Sequence, residues 1–396
     1  MHIVLSGYFG FDNVGDEAIL FSIIKALRKL EPNVDITVLS NNPAETAATY
    51  GVHTVNRWNL GEVRLVLKKA DGLISGGGSL MQDATSNKTI PYYAGIIKLA
   101  QFAKVPVFIY AQGMGPINGK LGQWLVKKVF NKSAGITVRD EDSATLLRKI
   151  GVRLPVTVVP DPVVGLGGNE FTSEWLDSWL QEQLEATSVN EVVDQIIDAL
   201  PADGEEDAET VADIDFAPAF PSYVTVSVRD WESPVDFKAK VAASLDLLAA
   251  QGLHIVFIPM HGEHDVKASE DVAALMTSPS TIAPGNLSIE EKIAVIGGSK
   301  LLIGQRLHSL IFASIEHIPF IALSYDPKID AFAQIAKQPV AGHVEQDTWT
   351  GESLTAIAND ILTNYDDKLA ELVAVIDPLT EAAEQTAQMA LNAFTR

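Results

Sequence analysis

The sequence lacks cysteine altogether over its 396 residues. Disulfide bonds, thiolate metal sites and cysteine nucleophiles are therefore excluded, and a reducing compartment fits this composition. No apolar run approaches the roughly 18 to 20 residues that a membrane span needs. Residues 1–10 have no basic segment, long apolar stretch or small-residue cleavage site, so they predict a core strand rather than a signal peptide. We expect a cytoplasmic protein.

Basic residues are missing between Leu154 and Val228, a segment that holds 16 acidic residues. Residues 1–153 differ, with 18 Lys and Arg against 12 Asp and Glu, although the net charge of the whole chain is −22. This balance argues against general binding of nucleic acid. The basic first part still fits an anionic substrate or membrane surface.

Strand-like runs, among them His2–Ser6, Asp35–Ser40, Gly135–Val138 and Val156–Val159, alternate with helical patterns through both halves of the chain, which predicts an α/β protein. Asp161-Pro162 closes the first of these halves, and Ser288 with Glu291 forms a predicted capping box at the start of a helix in the second. We expect two Rossmann-like, doubly wound domains that face each other across a cleft. The predicted boundaries are 1–167 for an N-terminal domain, 223–350 for a C-terminal domain and 351–396 for C-terminal helices that pack across both.

Residues 168–222 separate the two predicted domains and are strongly acidic. Glu174–Leu184 and Asn190–Leu200 have the spacing of amphipathic helices, and residues 202–215 resemble a flexible acidic linker. A solvated insertion is the simplest interpretation, with a regulatory or partner-binding role as the alternative.

Polar residues follow the first predicted strand in the loop GYFGFDNVGDE, residues 7–17. The spacing of its glycines is neither the dinucleotide-binding pattern nor a phosphate-binding P-loop. Asn13 and Asp16 are placed to hydrogen-bond a polyhydroxyl ligand. Asp16 is equally suited to capping the following helix.

A second loop, ISGGGSLMQD at residues 74–83, has three successive glycines after a buried strand. Such glycines expose backbone N–H groups to a phosphate or a sugar, or alternatively form a tight turn where domains touch. The residues of this loop that we expect on the cleft side are Gly76, Gly77, Gly78, Ser79 and Gln82. Gln112 and Arg139 end two further strands and are expected at the same cleft.

The second half places Arg229 and His261 after its first two strands. His261 and His264 have an HxxH spacing, but the motif lies in a predicted loop, lacks cysteine and is not HExxH, so we expect no metal site here. Lining of the cleft or capping of a helix is the preferred interpretation.

The segment 304–328 is the most informative in the chain. Arg306 and His308 open an apolar helix directly after a buried strand, and Lys328 follows the next strand. Ligands of open α/β sheets bind at such strand ends, and helix N-termini favour anions. A proton-transferring imidazole flanked by cations predicts a small phosphorylated acid as substrate.

Four motifs together resemble the polysaccharide pyruvyl transferase family, and most closely its CsaB-type members that act on cell-wall polymers. The motifs are NVGDE at residues 13–17, SGGGSLMQD at 75–83, GQRLHSLIFA at 304–313 and SYDPK at 324–328. The likeness covers nearly the whole chain except residues 168–222.

The resemblance implies a glycosyltransferase-B-like fold and transfer of pyruvate from phosphoenolpyruvate to a sugar as a ketal. The implied acceptor is a β-linked N-acetylmannosamine, modified at its 4- and 6-hydroxyls, on a lipid-diphosphate-linked disaccharide at the cytoplasmic membrane face. The ketal would anchor surface-layer proteins. Phosphoenolpyruvate is a substrate here, so no cofactor is expected.

This resemblance and the residue chemistry give the site residues provisional roles. His308 is the expected general acid or base, and Asp16 either holds the acceptor or activates its hydroxyl. The expected contacts of phosphoenolpyruvate are Arg229, Arg306, Lys328 and His261. The acceptor would be held by Asn13, the glycine loop with Ser79 and Gln82, and by Gln112 and Arg139.

Two other functions fit parts of the pattern. A sugar-nucleotide-dependent glycosyltransferase would share the fold but needs a site for base and ribose, and a carbohydrate-binding module would use the cleft without chemistry. Residues 120–132, KLGQWLVKKVFNK, form a basic amphipathic segment. It either rests on anionic lipid as a peripheral membrane contact or packs its apolar face on the sheet.

Overall fold

The structure is a computed structural model that describes residues 1–84, 86–167, 175–176, 178–183 and 222–395. Within these residues, two parallel sheets with helices on their faces account for most of the chain. The predicted pair of doubly wound sheets is therefore confirmed.

The first sheet has seven parallel strands in the order β3-β2-β1-β4-β5-β6-β7. In chain order they are β1 His2–Ser6, β2 Asp35–Ser40, β3 His53–Asn56, β4 Gly72–Gly76, β5 Val107–Gln112, β6 Gly135–Val138 and β7 Thr157–Val158. Strand order reverses between β1 and β4, which is where such sheets bind ligands.

Six helices accompany the first sheet: α1 Val14–Leu30, α2 Pro43–Tyr50, α3 Leu60–Leu67, α4 Thr89–Phe102, α5 Lys120–Phe130 and α6 Glu141–Ile150. Successive residues of a strand point to opposite faces, so Ile3 and Leu5 pack with α1 while Val4 packs with α3 to α6. Both faces of the sheet are covered, which explains its nearly continuous apolar strands.

The second sheet has six parallel strands in the order β10-β9-β8-β11-β12-β13, and reverses between β8 and β11. Its strands are β8 Tyr223–Ser227, β9 His254–Phe257, β10 Ser280–Ile282, β11 Leu301–Gly304, β12 Phe320–Ser324 and β13 Val340–His343. Its helices are α7 Phe237–Ala249, α8 Gly262–Ala273, α9 Ile289–Gly297, α10 Leu307–Ile315, α11 Pro327–Ile335 and α12 Gly351–Thr363.

The two domains are joined by one shared apolar core. A single buried cluster includes Ile19 of α1, Phe312 of α10 and Val163 of the 3-10 helix Pro162–Leu166. Because this burial ties helices of both domains together, it fixes the spacing of the two sheets and the cleft between them.

The last helix, α13 Tyr365–Phe394, contacts both domains. Near its middle, Asp377 pairs with His317 at 2.8 Å from Oδ1 to Nε2. Farther on, Lys29 of α1 donates to Glu384 at 2.6 Å, and Phe394 lies against Gly72. The helix therefore returns from the second domain to the first.

Only a small part of the acidic insertion is described. Residues 175–176 and 178–183 are helical, in agreement with the helix predicted at Glu174–Leu184, and the rings of Trp175 and Trp179 stack with centroids 5.9 Å apart. The predicted helix Asn190–Leu200 and the predicted linker lie outside the described residues. None of the described helices is both long and apolar enough to cross a membrane.

Candidate functional site

The strand ends of the two sheets meet where α1 faces α10. A Cβ built on Gly15 would lie 2.3 Å from Nδ1 of His308, so the imidazole rests directly on the backbone of α1. Gly15 is in the first turn of α1 and His308 in the first turn of α10. Two helix N-termini from different domains therefore border the same space, which favours an anion.

The start of α1 is held by its own side chains. Oδ1 of Asn13 accepts the N–H of Gly15 at 3.0 Å and caps the helix, because the first N–H groups have no partner within the helix. Glu17 reaches back to accept the N–H of Gly10 at 2.7 Å and the hydroxyl of Tyr50 at 3.0 Å. Asn13 therefore has a structural role at the site, and its predicted contact with the acceptor stays a prediction.

A buried arginine supports the same loop from behind. Nη1 of Arg57 donates to the carbonyl of Gly7 at 2.9 Å, and Nη2 donates to the hydroxyl of Tyr93 at 3.1 Å. The guanidinium carbon lies 4.6 Å from the ring centre of Tyr92 and 5.1 Å from that of Phe11. Aromatic faces thus surround this charge, and no ion pair joins it to a carboxylate of the described chain.

The glycine loop after β4 is built for close approach. Gly77 and Gly78 have φ of 75° and 66°, which a side chain rarely adopts. A Cβ on Gly77 would overlap Ile19, and one on Gly78 would lie 2.6 Å from Oδ1 of Asp16. Gly76 lies against the backbone of Tyr110. The glycines therefore let the loop touch α1 and place the Asp16 carboxyl beside it.

Arg139 connects the glycine loop to the end of the first domain. Its Nη2 donates to Oγ of Ser79 at 3.1 Å, and its Nη1 donates to Oδ2 of Asp161 at 3.3 Å. The guanidinium passes over Gly113, where a Cβ would lie 2.8 Å from Nε. The arginine is mostly buried, so its charge acts strongly on its neighbours.

His308 and Asp16 have pKa values displaced toward each other's usual range. The pKa of His308 is lowered to about 4, mainly by burial and also by the nearby cations Arg139 and Lys328, while Asp161 opposes the shift. Burial raises the pKa of Asp16 to about 7, helped by Glu17 and opposed by Arg139. At neutral pH the imidazole is therefore uncharged while the carboxyl retains a proton on many molecules.

The same two groups face Lys328, which lies in the first turn of α11 and is partly exposed. Its charge acts on both His308 and Asp16, and its Nζ lies 3.6 Å from Asp326. Nε2 of His308 is buried and has no hydrogen-bond partner among the described residues. This centre, made of Asp16, Arg139, Asp161, His308 and Lys328, joins cations with an unpaired imidazole nitrogen.

Arg306 is turned toward a different carboxylate. Its Nε and Nη2 both donate to the fully buried Asp265, with 2.9 Å between Nε and Oδ2. Lys292 is also buried, donates to the carbonyl of Gly285 at 3.1 Å, and has a pKa that burial lowers to about 8 although Asp265 opposes the change. The predicted donor contact of Arg306 therefore depends on the one guanidinium nitrogen that Asp265 does not occupy.

The other predicted donor residues surround this pair. The guanidinium of Arg229 lies 4.6 Å from the ring centre of Tyr325, and its backbone N–H donates to Gln305 at 2.9 Å. His261 precedes α8, and burial together with the charge of Arg306 lowers its pKa. The fold thus brings Arg306, His261 and Arg229 together. His308 and Lys328 belong instead to the neighbouring centre.

Gln112 does not open to the cleft as expected. Its side chain is fully buried and donates to the carbonyl and hydroxyl of Ser75 at 3.2 and 3.3 Å, because it lies within β5 between two covered faces. A role in acceptor binding has no support from this position. Gln82 is partly buried in the loop that follows Ser79.

The cleft continues beyond this centre as a cavity of about 780 Å³ between the domains. The carboxylate side chains in its lining are Asp12, Glu17, Glu45, Glu263, Glu290 and Glu291, and its lining contains neither Lys nor Arg. Such an acidic wall repels a second anion and offers acceptors to the hydroxyls of a neutral sugar.

Several site residues escaped the sequence reasoning. Asp161 seemed only to close the first domain, although it follows the end of a predicted strand and so was detectable. Asp265 and Lys292 lie within helices, and Arg57 follows an edge strand that the sequence pattern did not indicate. Their partners are distant in sequence, so spacing alone gave no signal.

Comparison with known proteins identifies one matching family. The family model described as "Polysaccharide pyruvyl transferase" matches residues 13–327. That range includes the N-cap of α1, the glycine loop, His308 and the start of α11. No curated protein matches the sequence.

Solved structures with the same architecture are distant in sequence. UDP-GlcNAc 2-epimerase from Neisseria meningitidis is 13% identical with a TM-score of 0.57, covering 99% of this chain and 100% of that one. The Staphylococcus aureus MnaA–UDP structure is 12% identical with a TM-score of 0.60, covering 100% and 98%. A glycosyltransferase from Rickettsia africae is 12% identical with a TM-score of 0.57, covering 99% and 95%. These likenesses confirm the glycosyltransferase-B-like fold.

Proposed function

The chain belongs to the polysaccharide pyruvyl transferase family, and from this premise we propose that it moves the pyruvate unit of phosphoenolpyruvate onto a sugar as a cyclic ketal. The proposed acceptor is a β-N-acetylmannosamine, modified at its 4- and 6-hydroxyls, on a lipid-diphosphate-linked cell-wall polymer precursor. Such a protein acts in the cytoplasm at the membrane face, and its product serves to anchor surface-layer proteins.

One observation carries the proposal: His308 of the second domain rests on Gly15 of the first, beside Asp16. Transfer between two substrates requires acid–base groups at the boundary of their binding sites. The contact brings a neutral imidazole and a protonated carboxyl to the same boundary, with Lys328 and Arg139 close enough to act on both.

The displaced pKa values support one assignment of the two roles. When the environments of two titratable groups shift their pKa values in opposite directions, one group can serve as the acid and the other as the base of one reaction. Asp16, with its pKa raised to about 7, donates a proton to the methylene carbon of phosphoenolpyruvate. His308, with its pKa lowered to about 4, accepts the proton of the attacking sugar hydroxyl at its unpaired Nε2.

The reaction balances without oxidation or reduction. Protonation of the methylene carbon and attack of the first hydroxyl on C2 give a tetrahedral phosphoketal. Its bond to phosphate breaks, the second hydroxyl adds to the resulting cation, and the proton of that hydroxyl leaves with the inorganic phosphate. The proton that His308 took from the first hydroxyl then returns to Asp16, so both groups regain their starting states. Lys328 and Arg139 stabilise the leaving phosphate, since charged hydrogen bonds to phosphate are the strong ones.

Two arginines and a neutral imidazole give the donor its second contact. Phosphoenolpyruvate carries a carboxylate besides its phosphate, and the Arg229, His261 and Arg306 group borders the same strand ends. Asp265 keeps the guanidinium of Arg306 in a fixed orientation. A preorganised arginine loses less freedom when it binds a carboxylate.

The acidic cavity suits the uncharged sugar end of the proposed acceptor. Its six carboxylates offer hydrogen-bond acceptors to the hydroxyls of N-acetylmannosamine, and they would repel a diphosphate, whether that of a sugar nucleotide or that of the lipid-linked acceptor. This charge distribution supports a sugar at this position of the cleft.

The decisive experiment measures phosphate release from phosphoenolpyruvate with a panel of synthetic lipid-diphosphate disaccharides. We expect release only with a terminal β-N-acetylmannosamine, and one ketal per sugar in the NMR spectrum of the product. Blocking the 4-hydroxyl of the acceptor should abolish ring closure. Transfer from UDP-sugars in the absence of phosphoenolpyruvate would refute the proposal.

A further inference from the structure

Large apolar side chains are exposed on the helical layer formed by α3, α4 and α5. Six of them have more than half of their surface exposed: Trp58, Leu60, Leu65, Phe102, Leu121 and Trp124. Scattered single residues of this kind are normal on a protein surface, but a group on one layer marks an interaction site.

The three helices form one continuous surface. Gln101 of α4 donates to the carbonyl of Val129 in α5 at 2.8 Å, and Gly122 of α5 packs on Ile90 of α4. On the other side, α3 packs on α4 within the same core. Because this core occupies the inner side of the layer, the exposed residues lie on its outer side.

The same layer carries a local excess of positive charge. Residues 58–132 contain ten Lys and Arg against three Asp and Glu, in a chain whose net charge is −22. Nζ of Lys128 lies 4.4 Å from the ring centre of Trp124, and Nζ of Lys98 lies 4.4 Å from that of Phe102. Exposed aromatic rings paired with lysines are suited to the boundary between lipid headgroups and acyl chains.

The surface reaches the opening of the cleft. Trp58 follows the end of β3, and Leu121 and Trp124 lie in the first turns of α5, which follows β5. These positions are at the carboxyl ends of the strands, the edge that also carries the glycine loop and Arg139.

We propose that this outer surface of α3, α4 and α5, here named the basic–aromatic face, docks on an anionic phospholipid membrane. It consists of the six apolar residues above and the cations Arg64, Lys68, Lys69, Lys98, Lys120, Lys127, Lys128 and Lys132. The face enlarges the contact expected from residues 120–132, and the burial of Val126, Val129 and Phe130 shows that the apolar inner side of that segment packs on the sheet. This inference rests on the proposed function in one respect: a lipid-linked acceptor gives the protein a reason to dock on a membrane.

The positive charge of the basic–aromatic face favours an anionic lipid surface over a protein partner. Each lysine or arginine near an anionic leaflet contributes favourably, and the attraction decays within a Debye length, so binding is sensitive to salt. The rest of the chain is acidic and is repelled by the same leaflet, which orients the basic–aromatic face toward the membrane.

Co-sedimentation of the full chain with vesicles of phosphatidylcholine, with and without phosphatidylglycerol, tests the proposal. We expect binding only to the anionic vesicles, weakening at high salt. Replacing Lys127, Lys128 and Lys132 by Gln should weaken binding at least tenfold. Trp124→Ala should weaken it at unchanged charge, and its exposed position leaves the fold intact.

A matched control replaces Lys267, Lys300 and Lys337 of the second domain by Gln, which changes the net charge equally and should preserve binding. Wild-type protein that stays unbound with anionic vesicles at low salt would overturn the proposal, as would equal binding by both triple variants. Phosphate release with a short, water-soluble acceptor tests the proposed chemistry separately, because that assay contains no membrane.

Discussion

Gly15 and His308 touch across the two domains, and the absence of a side chain on Gly15 makes this contact possible. A methyl group there would lie 2.3 Å from Nδ1 of the imidazole. The contact thus joins a glycine at one helix N-terminus to a histidine at another. The geometry of proposed proton transfer depends on this single close approach.

Gly15→Ala should lower kcat at least tenfold while the protein remains folded, since the new methyl group must displace the His308 ring. Gly95→Ala is the matched control, because a Cβ there meets nothing within 4 Å and alanine is the better helix former. Phosphate-release kinetics and thermal unfolding of both variants check the prediction. Normal turnover by Gly15→Ala would show that the position of the imidazole is unimportant.

His308→Ala should lower kcat by roughly 10²- to 10⁴-fold, the usual contribution of a general acid or base. His53→Ala is the control, since that imidazole is exposed on the edge strand β3. Both variants are compared under saturating phosphoenolpyruvate. A near-normal rate for His308→Ala would remove the acid–base role.

The pH dependence distinguishes an acid from a base at Asp16. Its carboxyl keeps its proton below pH 7, so kcat/KM should fall as the pH rises through about 7 if Asp16 donates the proton. His308 is neutral above pH 4, so the change in kcat/KM that its protonation causes should appear only near pH 4. The pH profile of the residual activity of Asp16→Asn should show no fall near pH 7. A fall that is caused by ionisation of the donor phosphate would persist in that variant. Activity that rises through pH 7 would instead make Asp16 the base.

Asp265→Asn should destabilise the protein by about 3 kcal/mol, because Arg306 and Lys292 lose the carboxylate that compensates their buried charges. The KM for phosphoenolpyruvate should rise as well, since Arg306 loses its fixed orientation. Asp271→Asn breaks a more exposed pair with Lys267 and should cost less than about 1 kcal/mol. Chemical denaturation of both variants measures their free energies of unfolding. Equal losses of stability in the two variants would contradict a larger contribution from the buried carboxylate.

Arg57→Met should weaken the hydrogen bond that fixes the loop carrying Gly7, because Met retains the apolar packing but donates nothing to its carbonyl. We expect slower turnover together with a free energy of unfolding lowered by about 1 to 3 kcal/mol. Arg64→Met, on the exposed side of α3, is the control for loss of an arginine charge. An Arg57→Met protein with unchanged kinetics would mean that the loop does not need this support.

Central strands and their loops were predictable because strong periodic signals define them. Most of the predicted strands agree to within a residue, including His2–Ser6, Asp35–Ser40 and Gly135–Val138, and the capping box of Ser288 and Glu291 is confirmed. The edge strands His53–Asn56, Ser280–Ile282 and Val340–His343 were missed. They are short and partly exposed, so they lack the apolar run that identifies a buried strand.

The sequence by itself determined the two parallel sheets, the loops that carry polar groups and the identity of His308, Lys328 and Asp16 as neighbours of strand ends. These follow from local periodicity and from the fact that parallel strands end at one edge. Tertiary structure alone decided that Arg306 turns to Asp265, that Gln112 is buried, and that the pKa of Asp16 is raised while that of His308 is lowered. Each of these depends on burial and on charges contributed by distant segments, and no local pattern encodes them.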